Sequence, residues 1–161
     1  MVYVQDIEMV REDDITWTLT VIEEIQSYYL TEFKIAARKE SLTIFDYIQK
    51  YWSTLVAAGK IVVSDITSCT MKFTVRRQNS TAILIQKTTD VDDGIVLTDP
   101  TNGVAEITVD SADTETLLNL DYPYIYDIEI TKPTGKVETL VRGSFKVLAE
   151  LSHDDTVLTE V

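Results

Sequence analysis

Tyr124-Ile125-Tyr126-Asp127-Ile128-Glu129-Ile130-Thr131, then Lys132-Pro133-Thr134-Gly135, then the run from Val137 to Val147, is the stretch that decides the fold. Side chains of an extended strand alternate between faces, so Tyr124, Tyr126, Ile128 and Ile130 share an apolar face while Asp127, Glu129 and Thr131 share a wet one. Pro133 presets φ for a turn and Gly135 tolerates positive φ. Val137, Thr139, Val141, Phe145 and Val147 then carry the chain back. The pattern predicts an antiparallel hairpin with one buried face.

The same grammar repeats upstream. Cys69, Met71, Phe73 and Val75 alternate with Thr70, Lys72, Thr74 and Arg76; Gln78-Asn79-Ser80 supplies a turn, and residues 81–87 return. Residues 94–98 and 104–110 flank Asp99-Pro100-Thr101-Asn102-Gly103 and are expected to pair antiparallel. Earlier still, Ile15, Trp17, Leu19 and Val21 alternate with Thr16, Thr18 and Thr20, the first clear strand. Short antiparallel strands at such intervals, with turn chemistry between them, predict a mainly β protein, a β-sandwich or barrel. Ser111 with the acids Asp113 and Glu115 after it predicts a single helical turn, with Ser111 as cap candidate.

Residues 28–58 break the alternation. Ile44, Phe45, Ile48, Tyr51, Trp52, Leu55 and Val56 recur at spacings of three and four, which predicts an amphipathic helix near 42–58, capped by Ser41 or Thr43 and ended by Gly59. The expected organisation is one domain over 1–161. A sandwich takes 14–22 and 65–149, and an α-helical insertion takes 23–64, between the first two strands. Residues 150–161 form an acidic C-terminal arm, with no partner pattern inside the chain, that could dock on a neighbour.

Composition sets the function classes aside in turn. With 161 residues, 45% of them hydrophobic, and only 5 Gly and 3 Pro, the chain is neither collagenous nor disordered. Lys and Arg number 14 against 27 Asp and Glu, a net charge of −13 that repels a phosphate backbone, so neither nucleic acid nor a membrane is expected as a partner. No stretch approaches the roughly 18 consecutive apolar residues of a membrane span, and Met1-Val2-Tyr3-Val4-Gln5-Asp6 lacks the basic and apolar regions of a signal peptide. One cysteine, Cys69, cannot close an internal disulfide, and one histidine, His153, excludes a multi-histidine metal site.

The remaining chemistry reads as structural. Asp90-Val91-Asp92-Asp93-Gly94 has some of the look of a calcium loop, but the twelfth position of an EF-hand needs a bidentate Glu and here holds Thr101. Acids on turns and outer strand faces keep sheets soluble and discourage edge pairing. Cys69 alternates with core residues and is expected to be an inert thiol. His153, between Ser152 and Asp154, is expected in an exposed tail, since a catalytic triad needs convergence in space rather than adjacency in sequence. Tyr122, Tyr124 and Tyr126 could stack on a sugar, but the last two share the apolar strand face. No catalytic residue, cofactor or metal is expected. Tyr28, Tyr29, Phe33, Tyr47, Tyr51 and Trp52 stand apart: they crowd the insertion, where they either pack on the parent sandwich or make subunit contacts, because aromatics dominate interface hot spots.

The order of features from Asp65 onward resembles a known family. Asp65-Ile66-Thr67-Ser68-Cys69-Thr70-Met71-Lys72-Phe73-Thr74-Val75-Arg76-Arg77, Ile85-Gln86-Lys87-Thr88, Gly94-Ile95-Val96-Leu97, Gly103 through Val109, Tyr124 through Ile128, Gly135-Lys136-Val137 and Arg142 through Val147 resemble the immunoglobulin-like module of phage baseplate upper proteins and related tail and virion proteins. The strand after Arg11-Glu12-Asp13-Asp14 resembles that module's opening strand. Two departures stand out: the family joins its first two strands by a short loop where this chain has 23–64, and Asp121-Tyr122-Pro123 replaces a Gly before the Tyr strand. The resemblance implies a non-enzymatic virion component in the tail, baseplate or head, assembled in the bacterial cytoplasm. Its partners would be other virion proteins and copies of itself. The competing expectations are a host-surface or glycan-binding module, which needs exposed aromatics in loops 78–80 or 99–103 that hold none, and a cell-wall hydrolase, which needs converging carboxylates.

Overall fold

The computed structural model describes residues 3–4, 7–10, 13–25, 27–117 and 123–148. The protein is mainly β, with antiparallel sheets. The decisive hairpin is β10 (Tyr124–Thr131) and β11 (Val137–Leu148), in register from Tyr124 opposite Phe145 to Thr131 opposite Val137, with one bulge after Ile128. Tyr124, Tyr126, Ile128 and Ile130 are all buried, as their spacing predicts. β10 also pairs with β6 (Thr70–Arg76), which pairs with β7 (Ile83–Thr88), so the sheet runs β11-β10-β6-β7. On its far side β11 takes two short parallel strands, β1 (Tyr3–Val4) and β2 (Ile7–Val10).

A second sheet, β3-β9-β8, joins β3 (Ile15–Thr20), β9 (Val104–Val109) and β8 (Ile95–Asp99), all antiparallel. Ile95, Ala105, Ile107 and Val109 from this sheet share one apolar core with Phe73, Val75, Tyr126 and Phe145 from the first. Phe73 sits at its centre, with ring centroids 5.9 Å from Trp17, 5.6 Å from Tyr126 and 6.1 Å from Phe145. The turn between β8 and β9 is a 3-10 turn, Pro100–Asn102, closed by Gly103 at φ 72°. A Cβ there would lie 2.6 Å from the Val21 carbonyl oxygen and 2.7 Å from that of Ser64, so glycine is required by both conformation and space.

Between β4 (Ile22–Glu24) and β5 (Val62–Val63), which pair with each other, lie three helices: α1 (Ser27–Lys39), α2 (Ile44–Lys50) and α3 (Trp52–Ala57). They have a core of their own around Ile25, Phe33, Leu55 and Ile61. A fourth short helix, α4 (Ser111–Thr114), follows β9.

Four expectations are corrected. The strand expected to be first is the third, since β1 and β2 precede it; Ile7 and Met9 are buried two positions apart, but over too few residues to register as a pattern. The single helix near 42–58 is two, broken at Tyr51 (φ −108°, ψ 17°), although Thr43 does cap the start by accepting the Asp46 N–H at 3.1 Å. α1 was not anticipated at all. The cap of α4 is Asp110 rather than Ser111, in a reciprocal capping box where the Asp113 carboxylate accepts the Asp110 N–H at 2.8 Å. The expected arm at 150–161 lies outside the described residues.

Candidate functional site

Each of the six aromatics singled out in the sequence belongs to the helical unit. α1 carries Tyr28, Tyr29 and Phe33, α2 carries Tyr47, and Tyr51 and Trp52 straddle the break into α3. Positions 29, 33 and 37 recur every fourth residue on α1, which turns Phe33 and Ala37 inward, 1% and 2% exposed. The rings form a connected series: Tyr28 to Tyr29 at 5.4 Å edge-on, Tyr29 to Phe33 at 6.4 Å stacked, Phe33 to Tyr47 at 6.1 Å and Tyr47 to Tyr51 at 4.8 Å. Trp52 packs on the same core. They therefore pack on one another rather than onto the sheets.

The sequence pattern did not distinguish which of these residues face solvent. Phe33 is buried, and Tyr29, Tyr47, Tyr51 and Trp52 are half-buried, but Tyr28 is 74% exposed. Two residues not singled out join it: Ile35, seven positions along α1 and hence on the same face, and Phe45 on α2, both more than half exposed. Amphipathic spacing alone placed Phe45 among the core-facing residues.

Charged pairs hold the helical unit around these rings. Lys60 forms an ion pair with Glu32 and lies 5.6 Å from the centre of the Tyr29 ring. Lys50 donates to Glu40 at 2.7 Å, and the Tyr51 hydroxyl donates to the same carboxylate at 2.8 Å. The Lys50 and Tyr51 donors hold the Glu40 carboxyl below its ordinary value, and Glu40 in turn raises Lys50. Where this unit meets the sheets, Val21, Ile22, Glu23 and Ser64 face Ile130, Lys132 and Glu138 across an open recess of about 480 Å³.

The other candidates are placed as follows. Cys69 is buried in the sheet core, and burial pushes its thiol up, away from the reactive thiolate. In the 90–94 loop, Asp93 is occupied by the Thr88 hydroxyl at 2.7 Å. Among the described residues, no group of three or more His, Cys, Asp or Glu side chains is placed to hold a metal ion. Tyr124 and Tyr126 are core residues; Tyr122 and His153 lie outside the described residues. Sequence reading missed Lys87, which is buried and reaches Asp113 at 2.7 Å and Asp110 at 3.0 Å. Burial opposes its charge, but the hydrogen bonds to Asp113 and Asp110 win and its value is raised. Its alternation with Ile85 on one strand was the available signal. No protein-family model matches the chain, and comparison with curated proteins finds no match.

Proposed function

We propose that this protein is a non-enzymatic structural component of a tailed-bacteriophage virion, in the tail, baseplate or head, built on an immunoglobulin-like sandwich with a helical insertion. The strand order is the observation that carries the fold part of this reading. In an immunoglobulin sandwich the G-F-C-C′ sheet faces a B-E-D sheet. Here β11-β10-β6-β7 shares a core with β3-β9-β8, the sequence order within each sheet agrees with that pattern, and the helices fall in the B–C connection. In place of the inter-sheet disulfide of antibody domains, the centre holds Trp17, Phe73, Tyr126 and Phe145. The virion part rests on the resemblance of this strand series to the phage module.

In this reading the sandwich is a rigid spacer and the helical unit is the contact. Tyr28, Ile35 and Phe45 present apolar surface without contributing to the buried centre, and symmetry multiplies modest contacts into a stable assembly. The test is Tyr28→Ser combined with Phe45→Ser in the full chain. Incorporation into particles, or self-association by light scattering, is expected to fall with thermal stability unchanged. Unchanged assembly would contradict the contact, and binding to purified cell-wall glycan instead would favour a host-surface module.

A further inference from the structure

β3 is an outer strand of its sheet, paired with β9 on one side and, among the described residues, with no strand on the other. Edge strands of soluble proteins are normally blunted by charge, proline or a bulge, because their outward N–H and C=O groups template pairing with another chain. The edges at β7 and β8 have such guards. β7 carries Lys87, ends beside Asp90, Asp92 and Asp93, and shifts register against β6; β8 ends in Asp99 and shifts register against β9. β3, Ile15-Thr16-Trp17-Thr18-Leu19-Thr20, has no charge, no proline and an unbroken register with β9. Of the described strands with five or more residues, it alone lacks a charged side chain.

The direction of its free groups follows from the register. The Val21 N–H donates to the Gly103 carbonyl at 2.8 Å, one pair beyond Thr20 opposite Val104, so Val21 and Gly103 occupy a hydrogen-bonded position. Such positions recur every second residue in an antiparallel ladder, so Ile15, Trp17 and Leu19 bond to β9, and the N–H and C=O groups of Thr16, Thr18 and Thr20 point away from it. The Thr108 N–H, opposite Thr16, agrees: it donates to the Gly94 carbonyl at 2.8 Å, away from β3. The open edge also leaves the core thinly covered. Ala105, Ile107 and Val109 on β9 are buried, whereas Ile15, Trp17 and Leu19, packed on the same core, are only half-buried.

We propose that β3 of one copy pairs antiparallel with β3 of a second copy, joining two three-stranded sheets into one of six strands. The edge and the strand that fits it are the same segment, so every copy supplies both, and the contact is two-fold and isologous. One register uses all of the outward groups. Centred on Thr18, it sets Thr18 opposite Thr18 of the second copy and Thr16 opposite Thr20, with both bonds made at each of the three pairs. The same register lays Trp17 beside Leu19 of the second copy on the core side, which covers both half-buried side chains. Charge favours a copy over a charged partner. Chains of net charge −13 repel one another over most contacts, so the strand without charge is where two copies meet with least repulsion. Glu106, opposite Thr18 on β9, stands three strand spacings from its counterpart, ~14 Å, beyond the Debye length of ~8 Å at physiological salt. Exposed Asp13 and Glu23 lie outside the paired residues.

The test uses purified full-length chains, in which native Cys69 is buried. Opposed residues of a hydrogen-bonded pair lie ~5.5 Å apart at Cα, within disulfide reach. On mild oxidation Thr18→Cys is expected to link to itself, and Thr16→Cys to link to Thr20→Cys in a mixture. Neither of the last two should link alone, since the two copies of residue 16 are offset by four residues, ~13 Å. No linkage at Thr18, or linkage of Thr16→Cys to itself as readily as to Thr20→Cys, would overturn the proposal. A further variant acts on the backbone. Thr18→Pro removes an outward N–H and no β9 bond, so when added to both chains of the Thr16 and Thr20 mixture it is expected to cut linkage severalfold with the melting temperature retained; undiminished linkage would equally contradict the pairing. With no ion pair across the edge, linkage should rise with added salt, and a fall would show that opposite charges hold the copies, which β3 does not supply. The crosslink is read on purified protein, so its failure leaves the virion reading standing, and absence from particles leaves the strand pairing standing.

Discussion

The sheets and the helical unit bury their apolar residues in different ways. In the sheets, side chains from two layers interlock, and Phe73, Val75, Phe145, Ala105 and Val109 have no exposed surface. Among the described residues of the helical unit only Ile25, Phe33, Ala37, Leu55 and Ile61 are buried, and half-buried aromatics and ion pairs complete the shell. A core held by few enclosed side chains opens at lower free energy than one with many. The difference separates a tightly enclosed sheet core from a more openly packed helical unit, joined to it through β4, β5 and the turn at Gly103.

Phe73→Ala should have the largest effect, since it empties the centre shared by Trp17, Tyr126 and Phe145. A loss of ~3–5 kcal/mol is expected in denaturant unfolding, with both regions failing together. Phe33→Ala should cost about 3 kcal/mol, but locally: amides of α1 to α3 would exchange fast while those of β6 and β10 stay protected. Loss of protection in both regions would break the two-core account. Gly103→Ala, at the junction, forces a Cβ against two carbonyl oxygens at positive φ and should cost ~1–3 kcal/mol by thermal melting, with the β4–β5 ladder exchanging first.

Lys87→Met gives the smallest effect at neutral pH and sharpens the sheet side of the comparison. The folded value of Lys87 is raised above its ordinary 10.5, so its contribution is fully present below about that pH and is lost as pH rises through the folded value. The stabilities of wild type and variant, measured by unfolding across the alkaline range, should therefore differ at neutral pH and converge only above the folded value of Lys87.

How much of this was legible follows from physical scale. Period-2 runs of six or more residues, such as 70–76 and 124–131, gave their strands and their pairing because one face is buried throughout. β1, β2, β4 and β5 span two to four residues and are defined by partners remote in sequence, which no local pattern encodes. α1 escaped because its apolar residues spread around the helix, Tyr28 and Ile35 outward and Phe33 and Ala37 inward, which blurs the stripe. At the candidate site the sequence identified the aromatic cluster. It could not separate exposed Tyr28 from buried Phe33, because hydrophobicity is the same for a ring that faces a core and one that faces solvent.

The most direct test of the proposed virion role is quantitative mass spectrometry of phage particles purified from a lysate that contains this chain. The account predicts the intact polypeptide at a fixed, symmetry-related copy number after stringent washing. Its absence from particles, with the chain recovered instead as a free monomer in the lysate, would contradict it.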